Sequence, residues 1–348
     1  MKPKNPCRHC FVPFLTIFLT VAMFSCKKED ALTPQSPAAV VSENGNTQKL
    51  SASLPVVSIP AQTYVVSPVI TFSNASNITI SGKSIAGGTE TAITLNNCHD
   101  VHITNCKLYN STNMGIYLYN CYNITITGNY FTNVSTGVYV DHSATGGIIV
   151  TSNQFLNMQG PFPRGQFVQF NNVNGGNNQI NSNQCENILG QSNPEDAISL
   201  YQSYGTAASP ILVNGNQIRG GGPSTSGGGI MLGDNGGDYQ IADGNSLVNP
   251  GQYGLAISGG SHNSLTNDLV FGVQQSFTNI GLYVASFSGA LISDATVSGN
   301  RIKFRNSLGV INGAWVAGGI LQPTGWGTNN WDANIDASIL PTLLITKN

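Results

Sequence analysis

The chain has 348 residues, of which 40% are hydrophobic and only 9% charged, with 40 glycines and a formal net charge of -2. Low charge with this much apolar content excludes a charged disordered chain. From Val56 onward eight Lys or Arg stand against thirteen Asp or Glu, which excludes a basic face for nucleic acid or anionic lipid.

In chain order, residues 1-26 read as a targeting segment. Lys2, Lys4 and Arg8 precede an apolar run, Phe11 to Phe24, too short to span a bilayer comfortably. The run ends at Met23-Phe24-Ser25-Cys26, followed by Lys27-Lys28-Glu29-Asp30. This resembles a bacterial lipoprotein signal, in which Cys26 becomes the lipidated N-terminus. The Lys-Lys-Glu-Asp run is similar to the export tag of surface lipoproteins in some Gram-negative bacteria. The resemblance implies an outer-membrane or cell-surface protein that meets the membrane only through its lipid. Cys7-Arg8-His9-Cys10 has redox or metal spacing but falls in the part such a signal removes. Residues 27-55 are rich in Pro, Ser, Asn and Gly without periodicity and read as a flexible linker.

Residues 56-305 carry a repeat. Ile80, Ile103 and Ile126 are spaced by 23 and 23 residues, and the series continues as Val150, Ile180, Val213, Ile241 and Leu265. A second series runs in step: Leu95, Leu118, Val140, Phe170, Leu200, Leu232, Ile257 and Val284. Both show brief apolar-polar-apolar alternation, as in Ile116-Tyr117-Leu118, which predicts short half-buried strands. No amphipathic helix separates them, so the units stack as coils of a solenoid with parallel sheets, right-handed by the chirality of parallel connections. Asn129, Asn153, Asn183 and Asn216 lie three residues past their anchors and Asn245 four past. Stacking brings these amides into register, each bonding its neighbour. The pattern Asn-x-Thr-Ile-x-x-Asn, with following Gly-Ile-x-Leu strands, resembles the right-handed parallel β-helix repeat of the pectate-lyase-like superfamily. The expected fold is therefore all-β, a right-handed parallel β-helix.

Two features of the repeat bear on chemistry. Cys98 and Cys121 lie one period apart and stack within disulfide range, as either a bonded pair or buried thiols. The period lengthens between Val150 and Ile241, with the extra residues in 156-166, 187-195, 202-209 and 220-228. Insertions in solenoids map to loops on one face, often the binding face. Residues 306-348 fall outside the repeat and hold Trp315, Trp326 and Trp331, the only tryptophans. They read as a C-terminal cap, or as rings that stack on sugars.

Aligning the second series puts Tyr117, Tyr139, Gln169, Ser199 and Met231 in one outward column. Tyr119, Asp141, Asn171, Tyr201 and Gly233 form the next, and Asn120, His142, Asn172, Gln202 and Asp234 the one beyond. A flat strip of Tyr, Asn, Gln and Asp suits an extended polysaccharide, although β-helix exteriors are polar in any case. Substrate-binding candidates are Tyr117, Tyr119, Tyr139, Asp141, Gln169, Asn171, Glu195 and Asp234. Arg164 and Glu195 fall at similar height on adjacent coils and read as a cross-coil salt bridge. In the sharper reading Arg164 neutralises a uronate carboxylate while Tyr201 or His142 removes a proton, a lyase-type β-elimination; Asp196 completes the catalytic candidates. Hydrolysis reads as weaker, because strand spacing puts Asp196 and Asp234 ~20 Å apart against the ~5 to 9.5 Å a glycosidase needs. Arg301-Ile302-Lys303 matches a tripeptide of polygalacturonases, but that family's Asn-Thr-Asp, Asp-Asp and Gly-His-Gly signatures are missing. Asp234-Asn235-Gly236-Gly237-Asp238 has the oxygens for Ca²⁺ without the spacing of a known calcium loop. Otherwise no cofactor and no metal centre is called for. The expectation is a monomeric, lipid-anchored β-helix that binds, and in its enzymatic form cleaves, a polysaccharide. The alternative is a non-catalytic adhesion or structural surface protein.

Overall fold

A computed structural model describes residues 63–161 and 164–347. The signal, Cys26 and the linker lie outside the described residues. The chain winds as a right-handed parallel β-helix. Every coil contributes to three long sheets of ten, ten and nine strands, and all strand pairings inside them are parallel. The ladder sheet runs from Ser76–Ser81 to Thr296–Ser298, the back sheet from Val65–Val66 to Arg301–Phe304, and the cleft sheet from Ile70–Ser73 to Ala314–Val316.

The two apolar series form the core. Leu118 pairs with Val140, Val140 with Phe170 and Phe170 with Leu200, all fully buried. Period-2 geometry sends these side chains inward and their neighbours outward, so each coil buries one face of three short strands. Val213, however, pairs with Ala242, which in turn pairs with Leu265. The anchor in that coil is therefore Ala242, not Ile241, and Asn245 lies three residues past it like the others.

The asparagine column is a continuous hydrogen-bonded ladder. Asn129 Nδ2 donates to Asn153 Oδ1 at 3.0 Å, and the same contact links Asn153 to Asn183, Asn183 to Asn216 and Asn216 to Asn245 at 3.0–3.1 Å. Each Nδ2 also donates to a carbonyl one coil back, such as Asn183 to Val150 and Asn245 to Val213. The residue before each rung is left-handed, as Gly128 (φ 68°) and Ser182 (φ 54°) illustrate; glycine and small polar residues tolerate this turn. Beyond Asn245 the rungs are Asp268, Asn300 and Asn329. Asp268 Oδ1 accepts from the Asn245 backbone and side chain, while its buried Oδ2 has no partner. Burial, foremost, pushes its carboxyl up to about 7.

Cys98 and Cys121 are stacked, buried free thiols, the Cys98 amide donating to the Cys121 sulfur at 3.4 Å. At the C-terminal end Trp326 and Trp331 pack against the last coil of the core, ring centroids 4.6 Å apart. Trp315 instead joins the cleft sheet opposite Tyr283 and is 46% exposed. The final segment turns back along the outside of the back sheet. Leu340 and Leu344 pack on Val248 and Phe271, Pro341 and Thr342 carbonyls accept from Arg219, the Thr346 amide donates to Gln154, and Lys347 Nζ donates to the Gly128 carbonyl.

Candidate functional site in the cleft

Three of the four insertions wall a cleft on the outward face of the cleft sheet. Residues 160–166 supply Arg164, residues 193–196 supply Glu195 and Asp196, and residues 223–228 supply Thr225 and Ser226. The floor is the outward column Met231 and Tyr283, continued by Trp315, with Phe287 on the opposite rim, 75% exposed. The cavity holds about 840 Å³. A second cavity of about 540 Å³ continues it toward the N-terminal coils, sharing Arg164, Asp234 and Ser288 and adding Tyr139, Gln169, Asn171 and Tyr201. The result is a trough across several coils.

Two aspartates dominate it. Asp196 precedes the strand Ile198–Tyr201 and is 3% exposed. Its Oδ1 accepts from the Tyr253 hydroxyl at 2.5 Å and from the Gly228 amide at 3.1 Å. Burial raises the carboxyl to about 7, against the lowering effect of those donors and with a further push from Asp234 and Glu195. Asp234 ends the strand Ile230–Asp234. Burial raises it too, and its Ser199 hydrogen bond and the Arg164 charge hold it down.

A bulge brings Asp234 into the site. Ser199 pairs with Met231, but Tyr201 pairs with Asp234, so one extra residue is inserted at Leu232-Gly233. Gly233 is left-handed (φ 65°), and a Cβ there would meet the Gly259 carbonyl at 1.9 Å. Bulges of this kind re-aim a side chain. Asp234 thus stands in the column of Asp141, Asn171 and Tyr201, not that of His142 and Gln202 as the alignment implied. Its side chain leans back to accept from Ser199 Oγ at 3.3 Å. Ser199 is three residues from Asp196, about 10 Å along a strand, so the ~20 Å separation expected from spacing is too long. That calculation treated the strand as regular and ignored the lean of the carboxylate.

The other predicted residues divide into two groups. Arg164, Glu195, Asp196 and Asp234 line the first cavity, and Tyr201, Tyr139, Gln169 and Asn171 line its extension. Arg164 approaches Glu195 at 3.7 Å with its side chain 63% exposed, and Glu195 also accepts from Ser226 at 2.9 Å. The Tyr201 hydroxyl accepts from Asn235 at 2.9 Å. Tyr117, Tyr119, Asp141 and His142 line neither cavity but adjoin the second, since Asn171 donates to Asp141 at 3.0 Å and Tyr117 stacks on Tyr139. Tyr117 donates to Asp141 at 3.1 Å, His142 Nδ1 meets Asp141 at 2.5 Å, and the Tyr119 and His142 rings are 5.9 Å apart. His142 is therefore not brought to Arg164 or Asp196. Burial and the Asp141 charge push the Tyr117 phenol well above its ordinary value.

The calcium reading fares poorly by geometry. Asp234 turns to Ser199, Asn235 to Tyr201, and Asp238 accepts from the Ser261 amide at 2.7 Å, so the oxygens of that loop diverge. Among the described residues no three His, Cys, Asp or Glu converge on a metal-sized point. Spacing missed Tyr253, 57 residues from its partner Asp196, and Phe287; Trp315 carried a signal in the alternation Ala314-Trp315-Val316.

The right-handed beta helix region family matches residues 67–185. No curated protein matches the chain. Among solved structures, the catalytic domain of a GH87 alpha-1,3-glucanase in complex with nigerose is similar at 14% identity and a TM-score of 0.53, over 74% of this chain and 50% of that one. A single aspartate-to-alanine variant of such a domain, also with nigerose, gives 14% identity, a TM-score of 0.52 and the same coverage. The chain thus spans about half the length of these structures, and the likeness is one of fold.

Proposed function

We propose that the chain binds a neutral polysaccharide along the trough and hydrolyses it, with Asp196 as general acid and Asp234 as general base. The observation that carries this is Asp196: a buried carboxyl, raised to about 7, that lines a large cleft beside a second carboxylate. A buried acid that keeps its proton near neutrality beside one that ionises sooner is the division of labour hydrolysis needs. Asp196 gives its proton to the glycosidic oxygen as the C1–O bond breaks. Asp234 takes a proton from the water that adds to C1. Both carboxyl groups line the same cavity, which holds that water between them.

Charge selects against the uronate reading. Among the described residues Arg164 is the only cation lining the first cavity, beside the carboxylates Glu195 and Asp234. Its contact with Glu195 partly neutralises it, so an anionic polymer would meet net repulsion. The apolar faces of Tyr283, Phe287 and Trp315 suit sugar rings instead. The two similar solved structures hold nigerose, which supports including an alpha-1,3-glucan among the substrates tried. The proposal extends to a lipid on Cys26 that holds the protein at the outer membrane or cell surface, and to a monomer in solution.

The test is a panel of neutral glycans and polyuronates, assayed for new reducing ends and for the absorbance of an unsaturated product. Reducing ends from a neutral glycan, without unsaturation, are expected. Unsaturated product from a polyuronate would restore elimination with Arg164 in the neutralising role. Measurable affinity with no product from any glycan would leave the non-catalytic adhesion reading.

A further inference from the structure

The environment of Asp196 is asymmetric. Both of its hydrogen bonds fall on Oδ1, from the Tyr253 hydroxyl and the Gly228 amide. A carboxyl oxygen has two acceptor positions, and both are filled by donors. Tyr253 is 1% exposed, on the strand Tyr253–Ile257, its ring wedged edge-on against Tyr283 at 5.1 Å. Gly228 packs closely on Tyr253, since a Cβ there would meet the Tyr253 carbonyl at 2.5 Å. Burial and the Asp196 charge keep the Tyr253 phenol far from ionising, so it always donates.

We infer that Tyr253 is a positioning residue: by occupying Oδ1 together with Gly228, it fixes the proton of Asp196 on Oδ2, the oxygen left for the cleft. The catalytic half of this inference rests on the hydrolase reading above; the proton placement does not. Without the phenol, Oδ1 keeps only the Gly228 donor and has an acceptor position open, so part of the acid points its proton into the protein. The groups that face Asp196 are Glu195 on its own loop, Asp234 on the neighbouring strand, Tyr253 and Tyr283 on the next two, and Arg164 across the cleft. Tyr253 and Gly228 favour the carboxylate, whereas burial, Asp234 and Glu195 disfavour it. Loss of a donor to the charged form moves an acid's titration upward.

The experiment is a carbon-13 titration of the aspartate carboxyl groups in the intact chain, with the Asp196 signal assigned by its loss in Asp196→Asn. In Tyr253→Phe the Asp196 midpoint is expected to rise by about one pH unit or more. On the hydrolysed glycan, the basic limb of kcat/KM moves up with it, while kcat falls more than KM changes. A purely structural tyrosine would lower the melting temperature and leave the midpoint in place, and that result overturns the inference. If Tyr253→Phe does not fold, 3-fluorotyrosine incorporation replaces it. The more acidic phenol is a stronger donor and should move the midpoint down; no movement overturns the inference. A shifted midpoint in a protein that cleaves no glycan sinks the hydrolase reading alone. An unshifted midpoint in a protein that does cleave sinks the proton placement alone.

Discussion

Asp196 in the cleft and Asp268 in the ladder have nearly the same surroundings. Burial pushes each carboxyl up to about 7. Each accepts two hydrogen bonds on Oδ1, and among the described residues the Oδ2 of Asp268 has no partner. They differ in access. Asp196 lines an 840 Å³ cleft, whereas the second oxygen of Asp268 is sealed inside the coil. In every neighbouring rung that position is an amide nitrogen donating to a carbonyl one coil back. By the same repeat, Oδ2 of Asp268 faces the carbonyl of Ala242, an acceptor against an acceptor unless the oxygen carries a proton. A perturbed carboxyl therefore identifies a site only together with a way in.

The sharpest way to break this comparison is to turn each aspartate into its amide. Asp196→Asn should cut hydrolysis by about 10²- to 10⁴-fold, measured as reducing ends released. Retention of full activity would remove Asp196 from the chemistry. Breaking a rung has the next largest effect. Asn183→Ala takes the side-chain acceptor from the Asn153 backbone and side-chain amides and the side-chain donor from the Val150 carbonyl, while Asn216 Oδ1 keeps the backbone N–H of residue 183. At about 1–3 kcal/mol for each orphaned group, several kcal/mol should be lost in urea unfolding, with kcat unchanged in the folded fraction. An altered kcat would mean that the ladder and the cleft are coupled.

Asp268→Asn should do the opposite. Its folded carboxyl titrates near 7 against an ordinary 3.8, so folding takes up a proton between about pH 4 and 7. The stability this group contributes is present below pH 4, falls as pH rises through that window, and levels off above it. The amide donates without needing a proton. It should add on the order of a few kcal/mol at pH 8 and little at pH 4; an equal effect at both values would show that Asp268 is not protonated in the fold. The smallest effect expected is that of Trp315→Ala. Removing an aromatic platform at the edge of the trough should raise KM by roughly tenfold, on the order of 1 kcal/mol, with little change in kcat or melting temperature. Unchanged KM would place the glycan elsewhere.

Much of this architecture is legible in the sequence because a solenoid repeats its decisions. Ile80, Ile103 and Ile126 make the same choice at the same interval, and five asparagines mark the turn that follows. Single irregularities carried the errors. A slip of one residue put Ile241 in the place of Ala242, although the odd spacing of Asn245 was its trace. The bulge at Gly233 moved Asp234 by one column, and a count along regular strands could not register it. Asp268 escaped notice because an acid in an amide column breaks the pattern that finds the column. Partners such as Asp196 and Tyr253 come from different coils, so no local spacing joins them; only the stacking does.

The returning C-terminal segment changes how the coils depend on one another. In a plain solenoid each repeat feels only its neighbours, so unfolding can unzip from an end. Here one stretch of chain, residues 340–347, touches Val248, Arg219, Gln154 and Gly128 in turn. Coils that never meet directly share a single tie, which acts as a long-range term in an otherwise one-dimensional system. The coils from Gly128 to Val248, which supply Arg164, Asp196 and Asp234, are thereby bound into one cooperative block.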